Sequence, residues 1–469
     1  MDQKHFESLY PENSRDNELE QLVGYIKEGN SSQLVGISGS GRSNVLGLLA
    51  YNSAVRLRHF PKHHGIVHFV MVNFSEIKMR LYSEVVKFIF LCLDSSLRDR
   101  DMNEEYEKVD SLFKEALSFN DELVLTQRLK SAIDYLAVEK KLTIIFLFNQ
   151  FDDYIPQVNE ELFILLRSLR DRAKYRFSVI FSVSRPLEDS IEPELLSQFS
   201  DFLVGHTIYL ELLDEVSVLF RIGYLEKLTG KALPETTKKK VLALTGGHLR
   251  LVKNSTEALL ANPVTSRRFG EASALVISDD ERSILDFSSA LPRRNDKEDL
   301  ATFLMGQRTV QSALKSIWKD LAPSERSSLI KGTDLRSLPY LEKTGLVKED
   351  QVTIPLFQKA LENGFFKEQS VALSFDEATN SIKKGDEIIS DSLTKAEFRL
   401  LRYLLQHPDE IIERETIVGT VWQDDKSIKG ISEQAIDQLI FRLRRKIEED
   451  PNSPSHLQTV KGRGIKYTP

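Results

Sequence analysis

Phe441-Arg442-Leu443-Arg444-Arg445-Lys446-Ile447 and the later stretch Thr459-Val460-Lys461-Gly462-Arg463-Gly464-Ile465-Lys466-Tyr467 decide the fold of the C-terminal part of this chain. Apolar residues recur at helical spacing across residues 432–448 and predict a helix with one broad buried face. They are Ala435, Ile436, Leu439, Ile440, Leu443 and Ile447. The sequence therefore predicts an amphipathic helix rich in arginine, followed by a basic segment that contains glycine.

Further stretches upstream complete a recognisable series. They are Val371-Ala372-Leu373-Ser374-Phe375, Leu393-Thr394-Lys395-Ala396-Glu397-Phe398-Arg399-Leu400-Leu401, Ile411-Ile412-Glu413-Arg414-Glu415 and Val421-Trp422. In order and spacing, the series resembles the winged helix-turn-helix domain of OmpR/PhoB-type response regulators over nearly all of residues 367–469. The resemblance implies double-stranded DNA as partner, with the helix of residues 432–448 in the major groove and the wing hairpin in the adjacent minor groove. No receiver of the response-regulator type stands in front of it, so another part of the chain must carry the input.

The resemblance also identifies candidate DNA-binding residues. By position these are Gln434, Gln438, Phe441, Arg442 and Arg445 on the helix, and Lys461, Arg463 and Lys466 on the wing. Glutamine can pair with adenine, and arginine with guanine or phosphate. The wing cations suit phosphates or a minor groove.

This sequence departs from the family on the reading face. Gln434, Ala435, Leu439 and Phe441 stand where the family often has Arg, Thr, His and Arg. Residues 367–469 contain 16 basic and 18 acidic residues, a net charge of −2. Contact with a protein by a repurposed winged helix is therefore the alternative to DNA binding.

The front half contains a glycine loop, Leu34-Val35-Gly36-Ile37-Ser38-Gly39-Ser40-Gly41-Arg42-Ser43-Asn44, between an apolar run and a helical pattern. Strand, glycine loop and helix form the context of a phosphate-binding P-loop, since glycines let backbone N–H groups approach a phosphate. The candidate residues for ATP or another nucleotide are Gly36, Gly39, Gly41, Arg42, Ser43 and Asn44. Ser43 would ligate Mg²⁺. Arg42 replaces the lysine of the pattern GxxxxGK[ST], and a planar guanidinium is no simple substitute. The alternative is a Gly/Ser-rich turn that binds nothing.

A second motif follows the predicted strand at residues 142–148 and reads Asn149-Gln150-Phe151-Asp152-Asp153. It resembles the Walker B motif of signal-transduction ATPases, and residues 15–22 resemble the R-E-x-E-L box that opens many AAA+ and signal-transduction ATPases. Asn149 stands at the family's first acid and is a poorer ligand for a hard cation than a carboxylate. Asp152 and Asp153 would act in catalysis by positioning water, or would cap the next helix.

Two further positions resemble sensors of bound nucleotide in such ATPases. Arg185 follows a predicted strand at residues 177–183, and would face the γ-phosphate or form a surface salt bridge. In the passage Thr245-Gly246-Gly247-His248-Leu249-Arg250, either His248 or Arg250 would reach the nucleotide. The alternative for His248 is a hydrogen bond at a helix N-terminus. Residues 318–357 resemble the winged helix appended to these ATPases, which is usually a packing or autoinhibitory module.

The fold class expected is multidomain α/β plus α+β, with the strands of the front half in a parallel, doubly wound sheet. Its ligand site should lie at the carboxyl ends of the strands. We expect a P-loop NTPase-like core at residues 1–205, a helical lid at 206–275, a first winged helix with a helical lead-in at 276–366, and the OmpR/PhoB-type domain at 367–469.

Bulk properties agree with a globular protein of several domains. The chain has 469 residues, 41% of them hydrophobic and 28% charged, and a net charge of −7, so DNA contact must come from a local basic patch. The single cysteine, Cys92, excludes an intrachain disulfide. Apolar runs such as residues 144–148 are too short to span a bilayer, and the start has no signal-peptide core. We expect a cytoplasmic protein without a membrane partner.

Three functions remain open at this point. The first is a regulator in which nucleotide binding controls DNA binding. The second is a pseudo-ATPase scaffold in a multiprotein complex, such as a bacterial defence or mobile-element system. The third is a working ATPase that remodels DNA or a partner. The replacements at Arg42 and Asn149 predict slow or absent hydrolysis, because phosphoryl transfer depends on charge placed on phosphates and metal.

Overall fold

The computed structural model of this chain describes residues 5–61, 65–78, 80–119, 121–261, 299–333, 335–366, 373–377, 379–385, 387–422, 433–448, 454, 456–460 and 463–468. The chain divides into two compact units, residues 1–366 and 367–469, each with its own hydrophobic core. The finer division of the first unit at residues 205 and 275 stays a prediction. No helix in the described ranges is long and apolar enough to cross a membrane.

The first unit is built on a five-stranded parallel sheet with the strand order β2-β3-β4-β1-β5. The strands are β1 (Ser32–Val35), β2 (Val67–Asn73), β3 (Thr143–Asn149), β4 (Phe177–Val183) and β5 (Thr207–Tyr209). Val35 lies opposite Val183 in the register, and Phe148 lies opposite Phe181. The carboxyl ends of β1, β3 and β4 therefore share one edge, where the polar loops after these strands meet.

Helices cover both faces of this sheet, which explains why its strands are almost continuously apolar. Along β3, Ile144 and Phe146 belong to one core cluster, whereas Ile145 and Leu147 belong to the other. The helices up to residue 261 are α1 (Asp16–Glu28), α2 (Arg42–Tyr51), α3 (Ser53–His59), α4 (Tyr82–Asp99), α5 (Asn103–Phe119), α6 (Glu122–Asp134), α7 (Glu160–Ala173), α8 (Leu187–Ser190), α9 (Pro193–Leu196), α10 (Glu215–Thr229), α11 (Glu235–Thr245) and α12 (Leu249–Ala261). The predicted parallel α/β fold of the front half is confirmed.

The remainder of the first unit, residues 299–366, contains five helices and a short hairpin. They are α13 (Leu300–Met305), α14 (Arg308–Lys319), α15 (Pro323–Lys331), α16 (Pro339–Lys343), β6 (Val347–Lys348), β7 (Gln351–Val352) and α17 (Pro355–Glu362). Stacked rings of Trp318 and Phe366, 4.7 Å apart, help to close its core. The end of α11 meets the hairpin so closely that a Cβ on Gly246 would lie 2.3 Å from the carbonyl oxygen of Thr353. We call residues 299–366 the closing segment.

The second unit is a compact α+β domain. It has two antiparallel sheets, ordered β10-β9-β8 and β11-β13-β12, and three helices. The elements are β8 (Leu373–Asp376), β9 (Ser381–Lys384), β10 (Glu387–Ile388), α18 (Lys395–Gln406), β11 (Ile411–Ile412), α19 (Arg414–Val421), α20 (Glu433–Ile447), β12 (Leu457–Val460) and β13 (Gly464–Tyr467). Of the apolar face predicted for α20, only Ala435 is not fully buried. Three helices followed by an antiparallel pair of strands confirm the predicted winged helix.

Gly464 is required by the close approach of two strands at the start of β13. Its φ is +138°, and an added Cβ would lie 2.1 Å from the carbonyl oxygen of Ile412. We expect Gly464→Ala to destabilise the second unit by roughly 2 kcal/mol or more, because backbone must shift to remove the clash. Denaturant unfolding followed by far-ultraviolet circular dichroism measures the effect.

Gly419→Ala provides the matched control. Gly419 lies exposed within α19, and a Cβ there would meet no atom within 4 Å. This change should leave stability unaltered or raise it by up to about 1 kcal/mol, because alanine favours the helix. Equal effects of the two substitutions would contradict the tight packing around Gly464.

Candidate nucleotide site and nucleic-acid interface

The glycine loop connects β1 to α2 at the carboxyl edge of the sheet. Gly39 and Gly41 have φ of +89° and +115°. A Cβ on Gly39 would lie 2.8 Å from atoms of His248 and Arg250, and a Cβ on Gly41 would lie 2.6 Å from the Leu249 side chain. The start of α12 therefore packs directly on the loop. In this structure both glycines are needed for that packing and for the positive φ.

Arg42 is paired with one of the two predicted catalytic acids. Its Nη1 lies 2.9 Å from Oδ2 of Asp152. Asp152 also accepts hydrogen bonds from the backbone N–H of Ser184 at 2.8 Å and from the Ser184 hydroxyl at 2.9 Å. Asp153 pairs instead with Lys78 at 3.0 Å. The alternative that these acids cap the next helix is wrong, because the side chain of Asn159 caps α7.

The two residues predicted on the metal side of the site contact each other. The Ser43 hydroxyl donates to Oδ1 of Asn149 at 2.8 Å, and the Asn149 amide donates to Oδ1 of Asn73 at 3.3 Å. No group of three or more His, Cys, Asp or Glu in the described part of the chain could hold a metal ion. The Ser43 hydroxyl and the amides of Asn149 and Asn73 are weak ligands for Mg²⁺, which favours carboxylates. The residues present therefore do not fit a magnesium site of their own.

The remaining loop residues also contact the protein. The Asn44 amide donates to the Tyr10 hydroxyl at 3.0 Å, and the Gly36 N–H donates to the Val183 carbonyl at 3.3 Å. A cavity of about 1260 Å³ opens beside α2, β2 and α4 and reaches Ser43 and Asn149 at one end. Ser43, in the first turn of α2, is thus accessible from this cavity.

Asp320 was missed in the sequence and proves to be a direct partner of the loop. Its carboxylate accepts a hydrogen bond from the Ser38 N–H at 2.5 Å and another from the Ser38 hydroxyl at 3.1 Å. Burial raises the pKa of Asp320 to about 6, although the nearby Arg42 guanidinium and the Ser38 donors act in the opposite direction. Ser38 and Asp320 lie 282 positions apart in the sequence, so no local pattern could have revealed this contact.

Both candidate sensors, in α12 and the turn before it, pack against Gly39 of the loop, and the His248 side chain also forms a hydrogen bond to the loop. Its Nε2 lies 2.9 Å from the Ser38 carbonyl, and its Nδ1 accepts from the Leu251 N–H at 3.2 Å. Burial lowers the pKa of His248 to about 4, so the ring is neutral at pH 7. Arg250 donates its backbone N–H to the Gly39 carbonyl at 3.1 Å, while its guanidinium reaches the Ser316 hydroxyl at 3.5 Å.

Arg185 is bonded to the closing segment and not to the loop. Its Nε donates to the Asp320 carbonyl at 2.9 Å, and a second nitrogen pairs with Glu325. Its guanidinium also lies over the Tyr340 ring, 4.1 Å from the centroid. The Tyr340 hydroxyl donates to the Ser184 carbonyl at 2.8 Å. The predicted surface salt bridge is therefore present in a partly buried form, and a role at the γ-phosphate stays untested.

Arg15 has a structural role that the sequence did not predict. This residue is almost fully buried, and its guanidinium donates to the carbonyls of Glu211 at 2.7 Å and Ser40 at 3.1 Å. It also pairs with Glu18 at 2.9 Å. Arg15 thus fastens the start of α1 and the segment before α10 to the glycine loop.

The candidate DNA-binding residues are partly free and partly bonded. Gln438, Arg442 and Arg445 are exposed on α20, and Arg463 is exposed before β13. The Arg442 Nε also lies 3.9 Å from a carboxylate oxygen of Glu397. Lys466 instead pairs with Asp409 at 2.9 Å. Phe441 is partly buried, the side chain of Gln434 is not described, and Lys461 lies outside the described residues. The structure therefore presents one glutamine and three arginines to solvent.

Other basic residues of α20 are used inside the domain. The Arg444 guanidinium donates to the Leu457 carbonyl at 2.9 Å and to the Thr459 hydroxyl at 2.7 Å, which joins the helix to β12. Lys446 pairs at 2.5 Å with the carboxylate of Glu397, which is 1% exposed. Burial alone would raise the pKa of Glu397, but hydrogen bonds from Lys446 and Thr394 outweigh it and hold the pKa below the ordinary 4.5.

Comparison with known proteins gives a family for the second unit. Residues 390–467 match the family described as "Transcriptional regulatory protein, C terminal". Protein PetR of Rhodobacter capsulatus is 34% identical over 99 residues, which are 21% of this chain and 41% of that protein. Regulatory protein VirG of Rhizobium rhizogenes is 39% identical over 87 residues, which are 18% of this chain and 33% of that protein. The chain thus spans less than half the length of these relatives.

A solved structure is similar to a large part of the chain. The Walker-type ATPase of Pyrococcus abyssi is 16% identical, with a TM-score of 0.38, and the match covers 81% of this chain and 97% of that one. Residues 390–467 thus resemble the C-terminal domain of transcriptional regulatory proteins, and the first unit is an α/β fold on a parallel five-stranded sheet, as the sequence predicts.

The contact of Glu397 with Lys446 predicts a dependence of stability on pH. A carboxyl whose pKa is lowered by folding stabilises the native state above its unfolded value, and this contribution is lost as the pH falls through the folded pKa. We expect Glu397→Gln to destabilise the second unit by roughly 1–3 kcal/mol at pH 7. The difference from the native chain should shrink below pH 4.5, the ordinary value for this group.

Denaturant unfolding at pH 7 and at acid pH measures this difference. Glu410→Gln is the matched control, because Glu410 is exposed in the same unit. The control should change stability by no more than about 0.5 kcal/mol at either pH. A difference between native chain and Glu397→Gln that is the same at both pH values would rule out the ionised pair as its source.

Proposed function

We propose that this chain is a cytoplasmic, nucleotide-binding transcription regulator whose second unit binds double-stranded DNA. The observation that carries the proposal is the match of residues 390–467 to the C-terminal domain of transcriptional regulatory proteins, together with the exposed basic face of α20. The first unit supplies the input, a nucleotide bound at the glycine loop. Hydrolysis is slow or absent.

DNA binding rests on the cationic side chains that α20 and the wing leave exposed. One of them, Arg442, is exposed although its Nε lies 3.9 Å from a carboxylate oxygen of Glu397. Arg442 and Arg445 lie three residues apart on one helix, so both can approach the same groove. Gln438 is exposed one turn before Arg442 and adds a group that can read adenine. Arg463 supports contact with a phosphate or a minor groove from the wing.

Nucleotide binding rests on the geometry of the glycine loop. The loop leads into the N-terminus of α2, where unpaired N–H groups and the helix dipole favour an anion. Arg42 begins this helix and brings a guanidinium to the same place. The cavity beside Ser43 gives room for a ligand to approach.

Slow hydrolysis follows from what surrounds the loop. Arg42 shares its charge with Asp152, and Asn149 offers the neutral side chain that Ser43 already contacts. Position 42 lacks the lysine that would place a positive charge on the phosphates, and position 149 lacks the carboxylate that would help to hold Mg²⁺. Little positive charge can therefore stabilise the transferring phosphoryl group. Nucleotide would then act as a bound effector that shifts a conformational equilibrium.

The second candidate is a pseudo-ATPase scaffold that uses the winged helix for protein contact. The observation in its favour is that Ser38, Arg42 and Ser43 each have a partner within the first unit. DNA binding separates the two candidates, because a scaffold of this kind needs none.

The arginines of the second unit give the test of DNA binding. The variant Arg442→Ala plus Arg463→Ala should bind a selected duplex at least about tenfold more weakly than the native chain. In a plot of log affinity against log salt concentration, the negative slope should become shallower by about 1.8 if both arginines neutralise phosphates. Selection from a genomic DNA library followed by titration at two salt concentrations provides the measurement.

The control removes the same charge elsewhere. Arg80→Ala plus Arg336→Ala eliminates two exposed arginines of the first unit. This variant should keep the affinity and the slope. If the Arg442/Arg463 variant binds DNA as tightly as the native chain, or if the native chain selects no sequence from the library, the scaffold function is favoured.

The nucleotide site predicts binding without efficient turnover. We expect release of phosphate from ATP and Mg²⁺ well below about 1 s⁻¹, the lower end for typical enzymes. Arg42→Ala should weaken ATP binding about tenfold, since it removes the guanidinium at the start of α2, whereas Arg80→Ala should not. Calorimetry measures the binding and a phosphate-release assay the turnover. Robust Mg²⁺-dependent turnover by the native chain would show that the third possibility, a working ATPase, is correct.

A further inference from the structure

We propose that the carboxylate of Asp320 is an internal competitor of the nucleotide phosphates, which must displace it from the glycine loop before they bind. This inference rests on the proposed nucleotide function of that loop. It adds a regulatory device: the closing segment holds the loop in a state with low affinity for nucleotide.

The geometry of Asp320 is that of a bound anion. One carboxylate oxygen accepts the Ser38 N–H and the other accepts the Ser38 hydroxyl. Backbone N–H groups in glycine loops are the donors that bind phosphate oxygens. Asp320 therefore uses a donor of the loop in the way that a ligand anion would.

The surrounding charges make the two anions exclusive. Asp320 and Asp152 both lie near the guanidinium of Arg42, and Arg42 is bonded to Asp152. The charge of Arg185 is taken up by Glu325. A polyphosphate placed on the loop would meet the carboxylates of Asp320 and Asp152, while the nearby Arg42 is already paired. Arg250 Nε also lies beside the loop, 3.1 Å from a Cβ built on Gly39. The two carboxylates still repel a phosphate strongly at this range in a partly buried site.

The burial of the Asp320 carboxyl group is consistent with a contact to Ser38 that can open and close. Part of Asp320 remains accessible, but its carboxyl group is enclosed, which raises its pKa to about 6. A raised pKa means that the ionised carboxylate is less stable in this site than in water, in spite of the Ser38 donors and Arg42. Release of Asp320 into solvent thus recovers part of the cost of opening.

The position of Asp320 connects the loop to the closing segment. Asp320 is the C-cap of α14, and its carbonyl accepts the hydrogen bond from Arg185. Tyr340, on α16, is bonded to the Ser184 carbonyl, beside the Arg42–Asp152 pair. Withdrawal of Asp320 therefore loosens the turn between α14 and α15, and a nucleotide that requires this withdrawal biases the whole closing segment.

The test is the affinity of the full chain for ATP, measured by titration calorimetry with and without Mg²⁺. The variants are Asp320→Ala, Asp320→Asn and, as control, Asp350→Ala. Asp350 is an exposed acid of the same segment and pairs with Arg336. Circular dichroism first establishes that each variant is folded. Asp320→Asn keeps the size of the side chain, and it provides the comparison if the alanine variant does not fold.

We expect both Asp320 variants to bind ATP at least about fivefold more tightly than the native chain, within the range of typical coupling between sites. Asp350→Ala should bind as the native chain does. Hydrogen exchange should also show that ATP loosens the turn between α14 and α15 in the native chain.

The other outcomes separate two failures. If the Asp320 variants and the native chain bind ATP equally, or if Asp350→Ala tightens binding as much, Asp320 is no competitor, although the loop still binds nucleotide. If none of the proteins binds ATP at millimolar concentration, the nucleotide function itself fails, and the inference fails with it.

Discussion

The ion pair between Arg42 and Asp152 is the interaction on which the functional edge of the first unit depends. Asp152 accepts hydrogen bonds from Arg42 and Ser184, so one carboxylate joins the start of α2, the turn after β3 and the end of β4. A partly buried charge needs such partners, because its removal from water is costly. The surrounding groups obey the same constraint, as Ser43 bonds to Asn149 and Arg185 to Glu325. A ligand that enters this edge must therefore exchange bonds that already exist.

Glu397 has a comparable position in the second unit. Its backbone and side chain form reciprocal hydrogen bonds with Thr394 at the start of α18, while its carboxylate reaches Lys446 near the end of α20. One buried acid thus fixes α20 against α18. The basic residues of α20 divide accordingly. Arg444 and Lys446 hold the domain together, Arg445 is exposed, and Arg442 is exposed but also pairs with Glu397 at 3.9 Å. Counting its cations overstates the charge that α20 can offer to DNA.

The sequence predicted correctly the elements that depend on local residue patterns. The strands β1, β3 and β4, the glycine loop and the apolar face of α20 all follow from runs and periodicities of a few residues. Fold class could be inferred because parallel strands place the loops after them at one edge. The partners of the site residues could not. Asp320, the closest partner of Ser38, is distant in sequence, and its role depends on how the closing segment packs. Asp152 shows the same limit of local patterns. Its position in the sequence predicted that it would position water or cap a helix, whereas in the folded chain it binds Arg42 and Ser184.

The glycines of the loop have a consequence for how such motifs arise and persist. Gly39 and Gly41 accommodate the side chains of α12 as well as a backbone of positive φ. Any larger residue at these positions would force the start of α12 away from the glycine loop, whether or not a nucleotide is ever bound. Selection for a stable fold alone would therefore retain the glycine signature in a descendant that had lost its ligand.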